Sequence, residues 1–223
     1  MDVMKKAIIF DLWNTLVVRR GRNITDIVSE YFKLPREEVH EWIRIASVGK
    51  EGIGKYAPYK TLCLANGKEF LDNDKDFVDG LYSTYSQDCS FIAYAQETLV
   101  ALREMGFKVA VLSNTTDISK TVIDHLELAD YVDLIVLSCD EGYLKPDPRI
   151  FNRILSELNM NSNEVIMVGD KITTDILGAK IVGMDVIYFN QQEKQNHLCP
   201  HMSILAIVNQ LSEIPKLLKT ELL

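Results

Sequence analysis

Four short polar segments contain the residue types that could perform chemistry, and each comes at or soon after the end of an apolar run. They are residues 11–16, 113–114, 145–148 and 169–170, with Asp175 following the last. Two carboxylates at one edge would repel each other, and a hard cation such as Mg²⁺, which prefers oxygen ligands, would relieve that repulsion. A lysine and a hydroxyl nearby would give an anionic phosphoryl group positive charge and hydrogen-bond donors. The residues thus indicate a metal and phosphoryl site.

The apolar pattern predicts the elements that must position these segments. Alternation of buried strands with amphipathic helices predicts an α/β fold, a doubly wound parallel sheet whose ligands bind at the carboxyl ends of the strands. The predicted strands, short apolar runs mostly rich in β-branched residues, are residues 7–10, 109–112, 134–137, 165–168, 186–189 and 204–208. The predicted helices between them include residues 97–105, 118–128 and 148–158.

A stretch after the first strand, residues 18–90, breaks this alternation, because it has helical signals without a convincing buried strand. Helical spacing is found at Ile24, Ile27, Val28 and Tyr31, after Pro35 at Val39, Trp42, Ile43 and Ala46, and later at Phe77, Leu81 and Tyr85. We therefore predict a core of residues 1–17 and 91–223 and a small helical cap domain of residues 18–90. Residues 49–54 contain three glycines around Lys50, and Lys55 follows.

Composition limits the function classes. The formal charge of −8, from 24 basic and 32 acidic residues, leaves no positive excess for a nucleic-acid backbone. The first apolar run has four residues and cannot span a bilayer, so we expect no membrane segment. The four cysteines form no CxxC pair and no signal peptide is recognisable, which favours a reducing cytoplasm. We expect a small-molecule substrate and a monomer or homodimer.

Taken in order, the polar segments resemble the four motifs of the haloacid dehalogenase superfamily over nearly the whole chain. The match consists of an apolar strand ending in Asp11, then Leu-Ser-Asn at Ser113, then Lys-Pro-Asp-Pro at Lys145, then Gly-Asp with a spaced second aspartate. The insertion at residues 18–90 is similar to the helical cap of one large branch. The resemblance implies a Rossmann-like core and a Mg²⁺-dependent hydrolase that acts on a small phosphorylated molecule.

The resemblance also implies catalytic and substrate-binding roles. Asp11 would attack phosphorus and form an aspartyl-phosphate, which splits hydrolysis into two displacements. Ser113 would hydrogen-bond a transferring oxygen with the backbone N–H of Asn114 nearby, and Lys145 would hold the nucleophile and neutralise phosphate charge. The substrate-binding residues expected beside these are Asn114, Thr15 and the cap residue Lys50.

Four residues are expected to hold the metal. The resemblance implies that Asp170 ligates Mg²⁺ beside Asp11 and that Trp13 contributes its backbone carbonyl. Asp175 would act through a metal-bound water or would orient Lys145. All these ligands are oxygens, as Mg²⁺ prefers.

Trp13 is also where the chain departs from the family pattern. Phosphatases of this superfamily usually have an aspartate there, which protonates the leaving oxygen and later activates water; such help is worth roughly 10²- to 10⁴-fold in rate. Without this general acid, the rate of hydrolysis should fall least for acyl phosphates and most for alkyl phosphates. A 2-haloacid dehalogenase is an alternative, since a halide leaves without a proton, but Asp170 favours a metal. A non-catalytic phospho-ligand module is a third possibility, which Asp11, Lys145 and Asp170 argue against.

Two further polar groups have alternative interpretations. Arg19, Arg20 and Arg22 could contact an anionic substrate or form a solvated hinge between core and cap. His197, Cys199 and His201 alternate like zinc ligands, but no second pair of ligands accompanies them, so we predict a plain loop.

Overall fold

The structure is a computed structural model that describes residues 4–49, 54–191 and 203–221. Six strands form one parallel sheet in the order β5-β4-β1-β6-β7-β8, and β2 and β3 form a separate antiparallel pair. The strands of the described residues are β1 Ala7–Phe10, β2 Val17–Arg19, β3 Cys89–Phe91, β4 Lys108–Ser113, β5 Leu134–Leu137, β6 Val165–Gly169, β7 Asp185–Phe189 and β8 Ala206–Val208.

Helices cover the sheet and fill the insertion after β2. Within the described ranges none of them is long and apolar enough to cross a membrane. Their bounds are α1 Ile24–Phe32, α2 Arg36–Ala46, α3 Ala57–Ala65, α4 Asp72–Thr84, α5 Ala95–Glu104, α6 Ser119–His125, α7 Ser138–Glu141, α8 Pro148–Leu158, α9 Leu177–Ile181 and α10 Glu213–Glu221.

The central strand β1 is buried on both faces. Its side chains alternate between two apolar clusters, with Ile8 and Phe10 in one and Ala7 and Ile9 in the other, and all four are fully buried. Side chains of a strand point alternately to opposite faces, so the two clusters are the two sides of the sheet. This confirms the sequence prediction of strands with continuous apolar runs.

The strand order places a crevice beside β1. The chain builds β4 and β5 on one side of β1 and then crosses to build β6, β7 and β8 on the other. In doubly wound sheets ligands bind outside the carboxyl ends of the strands where the order reverses, which here is between β1 and β6. Asp11 follows β1 and Asp170 follows β6, so both lie at this point. The predicted α/β doubly wound fold is confirmed.

The insertion differs from its prediction in two respects. It begins and ends in the ribbon of β2 and β3, where Val17 pairs with Phe91 and Arg19 with Cys89, although we expected no strand there. Three-residue strands are too short to show an alternating pattern. The helix α3 was also not predicted; its buried residues are Tyr59, Leu62 and Cys63.

Candidate active site

The loop after β1 holds Asp11 at the end of the sheet. The Asp11 N–H donates to the Val168 carbonyl at 2.9 Å, and the chain then reverses as the N–H groups of Leu16 and Val17 both donate to the carbonyl of Leu12. Asn14 adopts a positive φ of 61° in this loop, a conformation that asparagine accepts more readily than most residues. The Asp11 carboxylate therefore has a fixed position in the crevice.

Lys145 is buried at the centre of the candidate site. Its Nζ lies 2.6 Å from Asp11 Oδ1 and 2.8 Å from Asp175 Oδ1, and it donates to the Leu112 carbonyl at 2.7 Å. These partners use all three hydrogens of the ammonium. The Asn114 side chain fixes the Lys145 backbone, accepting from its N–H at 2.7 Å and donating to its carbonyl at 2.8 Å. The side chain of Asn114 thus supports Lys145.

Asp175 lies in a π-helical turn, Ile172–Ile176, that follows β6. Its Oδ2 accepts the N–H of Lys171 at 3.0 Å. A Cβ at Gly169 would lie 2.5 Å from Asp175, a distance that real side chains do not allow. Glycine at position 169 therefore lets the Asp175 carboxylate fold back over the end of β6 and reach Lys145. Single π-helical turns occur often at functional sites.

Asp11, Asp170 and Asp175 together form an acidic group that could hold a cation. Their carboxylates each offer an oxygen within 4.8 Å of the others, with Asp11 and Asp175 buried and Asp170 half-buried. Several carboxylate oxygens so close together are the donor set of a hard cation such as Mg²⁺. Lys145 alone cannot balance three negative charges, so these residues fit a divalent metal.

The protonation equilibria of Asp11 and Lys145 reflect this crowding. Burial raises the pKa of Asp11 to about 7, with Asp175 and Asp170 adding to the effect and Lys145 opposing it. Burial alone would lower the pKa of Lys145, but the charges of Asp11 and Asp175 outweigh burial and raise it. Lys145 is therefore a permanent cation, whereas Asp11 in the metal-free protein is held partly as the neutral acid near neutral pH.

Two buried hydroxyls belong to segments that carry site residues. Ser113 ends β4 and is completely buried, and its Oγ has no hydrogen-bond partner among the residues that the structure describes. A buried hydroxyl without a partner costs about 1–3 kcal/mol, which a ligand oxygen could offset. Thr15 is also buried, and its Oγ1 lies 3.5 Å from Asp11 Oδ2, at the limit of a hydrogen bond.

Trp13 is held by neighbours that the sequence motifs did not reveal. Its Nε1 donates to Thr115 Oγ1 at 3.3 Å and to Ser119 Oγ at 3.2 Å, and its ring meets the Tyr85 ring edge-on at 6.3 Å. Only the hydroxyls that follow Ser113 in the sequence could have suggested this contact. An anchored indole therefore occupies the position where a proton donor was expected.

The other predicted residues contact groups other than Asp11, Lys145 and Asp175, or lie outside the described residues. Lys50, like His197, Cys199 and His201, is outside the described residues. Lys55 forms an ion pair with Asp79 at 2.7 Å. Arg19 pairs with Asp88 at 3.0 Å and lies over the Tyr85 ring at 4.2 Å, which places it at the base of the insertion. Arg22 pairs with Glu30 on the surface.

Comparison with known proteins gives relatives with named activities. The chain is 35% identical over 197 residues to a glyceraldehyde 3-phosphate phosphatase of Pyrococcus abyssi, covering 83% of this chain and 82% of that protein. It is 29% identical over 213 residues to a ribulose-1,5-bisphosphate 5-phosphatase of Halopiger xanaduensis, covering 86% and 88%.

A solved structure and a family model complete the comparison. The fold is similar to that of a 2-haloacid dehalogenase from Pseudomonas syringae, with a TM-score of 0.72 and 22% identity over 97% of this chain and 99% of that one. That likeness concerns the fold alone. A model of the haloacid dehalogenase-like hydrolases matches residues 5–183. The chain therefore belongs to the haloacid dehalogenase-like hydrolase family.

Proposed function

We propose that this chain is a Mg²⁺-dependent phosphatase that acts on a small phosphorylated molecule through an aspartyl-phosphate at Asp11. The observation that carries the proposal is the grouping of three carboxylates, Asp11, Asp170 and Asp175, around the buried ammonium of Lys145 at the crevice beside β1. The phosphatase names of the relatives from Pyrococcus abyssi and Halopiger xanaduensis support it.

Asp11 takes part in both displacements of this mechanism, as the nucleophile in the first and as the leaving group in the second. Lys145 occupies Oδ1, whereas among the described residues Oδ2 has only the weak contact with Thr15, which leaves it available to attack. An Asp11 oxygen bonds to phosphorus while the bond to the leaving oxygen breaks, and the leaving group departs with that electron pair. Water then attacks phosphorus, which releases inorganic phosphate and restores the Asp11 carboxylate.

The remaining residues bind and orient the phosphoryl group. The Ser113 hydroxyl and the Asn114 backbone N–H donate to its oxygens, and the Lys145 ammonium offsets negative charge as it shifts from Asp11 to the phosphoryl group. Thr15 steadies Asp11 Oδ2. Each donor except the Ser113 hydroxyl is fixed by a strand end or a neighbouring hydrogen bond, so little reorganisation accompanies the reaction.

Asp11, Asp170, the backbone carbonyl of Trp13 and, directly or through water, Asp175 would hold Mg²⁺. When bound, the cation neutralises charge on nucleophile and phosphate and lets the two approach. Asp175 also orients Lys145 through its 2.8 Å ion pair.

The insertion acts as a cap in this proposal. Residues 18–90 would select the substrate while the core reacts. The described part of the insertion already touches the core near the site, because the Tyr82 hydroxyl of α4 donates to the carboxylate of Asp117. Asp117 follows the segment that carries Ser113 and Asn114.

Trp13 favours a second candidate, a 2-haloacid dehalogenase, because a halide needs no proton to leave. That reaction needs no metal, and it gives Asp170 no role. A site with three carboxylates would also repel the carboxylate of a haloacid. Phosphoryl transfer therefore accounts for more of the site than carbon–halogen cleavage does.

The test is a panel assay with purified protein. Phosphate release from acyl, aryl and alkyl phosphates is measured with Mg²⁺ and with excess chelator, beside halide release from 2-haloacids. We expect Mg²⁺-dependent phosphate release that Asp11→Asn abolishes without loss of fold by circular dichroism. Chelator-resistant halide release would establish the dehalogenase instead, and near-normal turnover by Asp11→Asn would exclude Asp11 as nucleophile.

A further inference from the structure

A cavity of about 520 Å³ lies between the insertion and the core. One wall is apolar and comes from α2 and α3, with Trp42, Ile45 and Pro58 among its residues. Ile45 is 52% exposed, so part of this apolar wall is open to a ligand. The other wall is polar and comes from the core segments around α6 and α7. A cavity of this size could enclose a small organic molecule.

One continuous chain segment runs from the candidate site to the cavity. Ser113 is at the phosphoryl end, Thr115 binds the Trp13 indole, and Asp117 lines the cavity. Four residues of chain span at most about 14 Å, so one substrate could reach from Ser113 to the cavity. A second link of the same kind exists at α6: the Ser119 hydroxyl accepts the Trp13 N–H, and the next residue, Lys120, lines the cavity.

The phosphoryl group itself does not sit in the cavity. Asp11, Lys145 and Asp175 are not among its lining residues. In a substrate bound at Asp11, the cavity would therefore hold the part that departs with the leaving oxygen. The chemistry of the cavity wall then decides which leaving groups are accepted.

The polar wall is negatively charged. It contains Asp117, Asp124 and Asp140 against the single lysine Lys120. Lys120 is already paired, since its Nζ lies 2.5 Å from Asp140 Oδ1, and Asp117 accepts the hydroxyl of Tyr82. A carboxylate or a second phosphate placed here would meet like charge without an available cation among these lining residues.

We infer that the leaving group of the substrate carries no negative charge and is either uncharged or cationic, so that the enzyme takes monophosphates and rejects bisphosphates and phosphorylated acids. This inference rests on the proposed function, because it assigns the cavity to the leaving group of the same phosphate ester. A positively charged substituent is favoured, since Asp124 and Asp117 attract it.

The test uses phenyl phosphates that differ in charge but little in the chemistry of the phenolic leaving oxygen. Phosphate release is measured for the para-aminomethyl, para-methyl, para-carboxymethyl and para-phosphonomethyl compounds with the intact protein and Mg²⁺. We expect kcat/KM to fall in that order, by about tenfold from the amine to the carboxylate, as expected for a unit charge near a partly solvated aspartate. A flat or reversed order overturns the inference.

A charge-reversal variant tests the location. Asp124→Lys should reduce the preference for the amine over the carboxylate by about tenfold or invert it. Glu104→Lys makes the same charge change on the exposed end of α5, outside the cavity, and should leave the order unchanged. Equal changes in charge preference in both variants would show that the overall electrostatic field of the protein sets the preference, and would overturn the assignment to the cavity.

The two proposals can fail separately. The phenols that correspond to these phosphates lack the phosphoryl group, and calorimetric titration should show the amine binding more tightly than the carboxylate. Absence of Asp11-dependent phosphate release from every compound would reject the proposed function, and the phenol titrations would then decide the chemistry of the cavity alone. Phosphate release with a kcat/KM that does not depend on the charge of the para substituent would reject the cavity inference but not the proposed phosphatase function.

Discussion

Replacing Trp13 by aspartate tests the consequence of the missing proton donor. A carboxyl group at this position could protonate the leaving oxygen, a contribution of about 10²- to 10⁴-fold in rate or roughly 3–5 kcal/mol in the barrier. The gain should be greatest for alkyl phosphates, whose leaving groups are poor, and small for acyl phosphates. We expect Trp13→Asp to raise kcat/KM for alkyl phosphates by at least about tenfold.

The structure limits the cost of this substitution. Removing the indole N–H leaves neither Thr115 nor Ser119 without a partner, because their hydroxyls hydrogen-bond to each other. The free energy of unfolding is then lowered only by the cavity that the half-buried ring leaves and by the lost edge contact with Tyr85. Large-to-small changes of buried aromatic residues cost about 3–5 kcal/mol, so a half-buried ring should cost less, about 2 kcal/mol.

Trp13→Asn is the matched control, because it makes the same cavity without an ionisable group. Rates for alkyl, aryl and acyl phosphates are measured for both variants, together with thermal melting to confirm that both are folded. The ratio of Asp to Asn rates isolates proton transfer from the loss of packing. A ratio near one on alkyl phosphates, in folded proteins, would refute the reasoning, since another group would then already supply the proton.

Three further predictions concern the charged centre. Excess chelator should abolish phosphate release, and added Mg²⁺ should restore it and raise the melting temperature of the wild type more than that of Asp170→Asn. Lys145→Met should destabilise the metal-free protein by about 3–5 kcal/mol in urea unfolding, because it leaves two buried carboxylates without their cation, whereas Lys171→Met should not. The folded-state pKa of Asp11, about 7, lies above its ordinary 3.8, so its contribution to the stability of the metal-free protein is present below pH 3.8 and lost as pH rises through about 7. Urea unfolding in chelator should therefore show Asp11→Asn gaining on the wild type between about pH 4 and pH 7, and a constant difference would contradict the raised pKa.

The core of the fold was predictable because its strands are buried on both faces. A run such as Ala7–Phe10 has no polar residue to obscure its limits, and the polar residue that follows it is Asp11, the proposed nucleophile. The ribbon of β2 and β3 was not predictable, since three residues cannot show a period and Arg19 does not resemble a strand residue. Its pairing depends on the two ends of the insertion meeting in space.

The charged residues of the site were predictable, whereas their supports were not. Asp11 and Asp170 directly follow strands, Lys145 lies between α7 and α8, and the three stand in a recognisable order. The contact of Lys145 with Asp175 was expected only from the family resemblance, and the contact of Trp13 with Ser119 was not expected, because both join segments far apart in sequence that no periodic pattern links. The need for glycine at position 169 also depends on the fold, because only the folded chain brings Asp175 close enough to clash with a Cβ there.

Charge balance connects the raised pKa of Asp11 with the need for a metal. With every group ionised, Asp11, Asp170 and Asp175 give three negative charges and Lys145 gives one positive, so the site has an excess of two negative charges. A phosphate monoester is itself a dianion and would not enter such a site unaided. The metal-free protein relieves part of the excess by protonating Asp11, which removes the proposed nucleophile. A divalent cation would cancel the whole excess and keep Asp11 ionised, so in the proposed mechanism binding of the substrate and activation of the nucleophile would depend on the same ion.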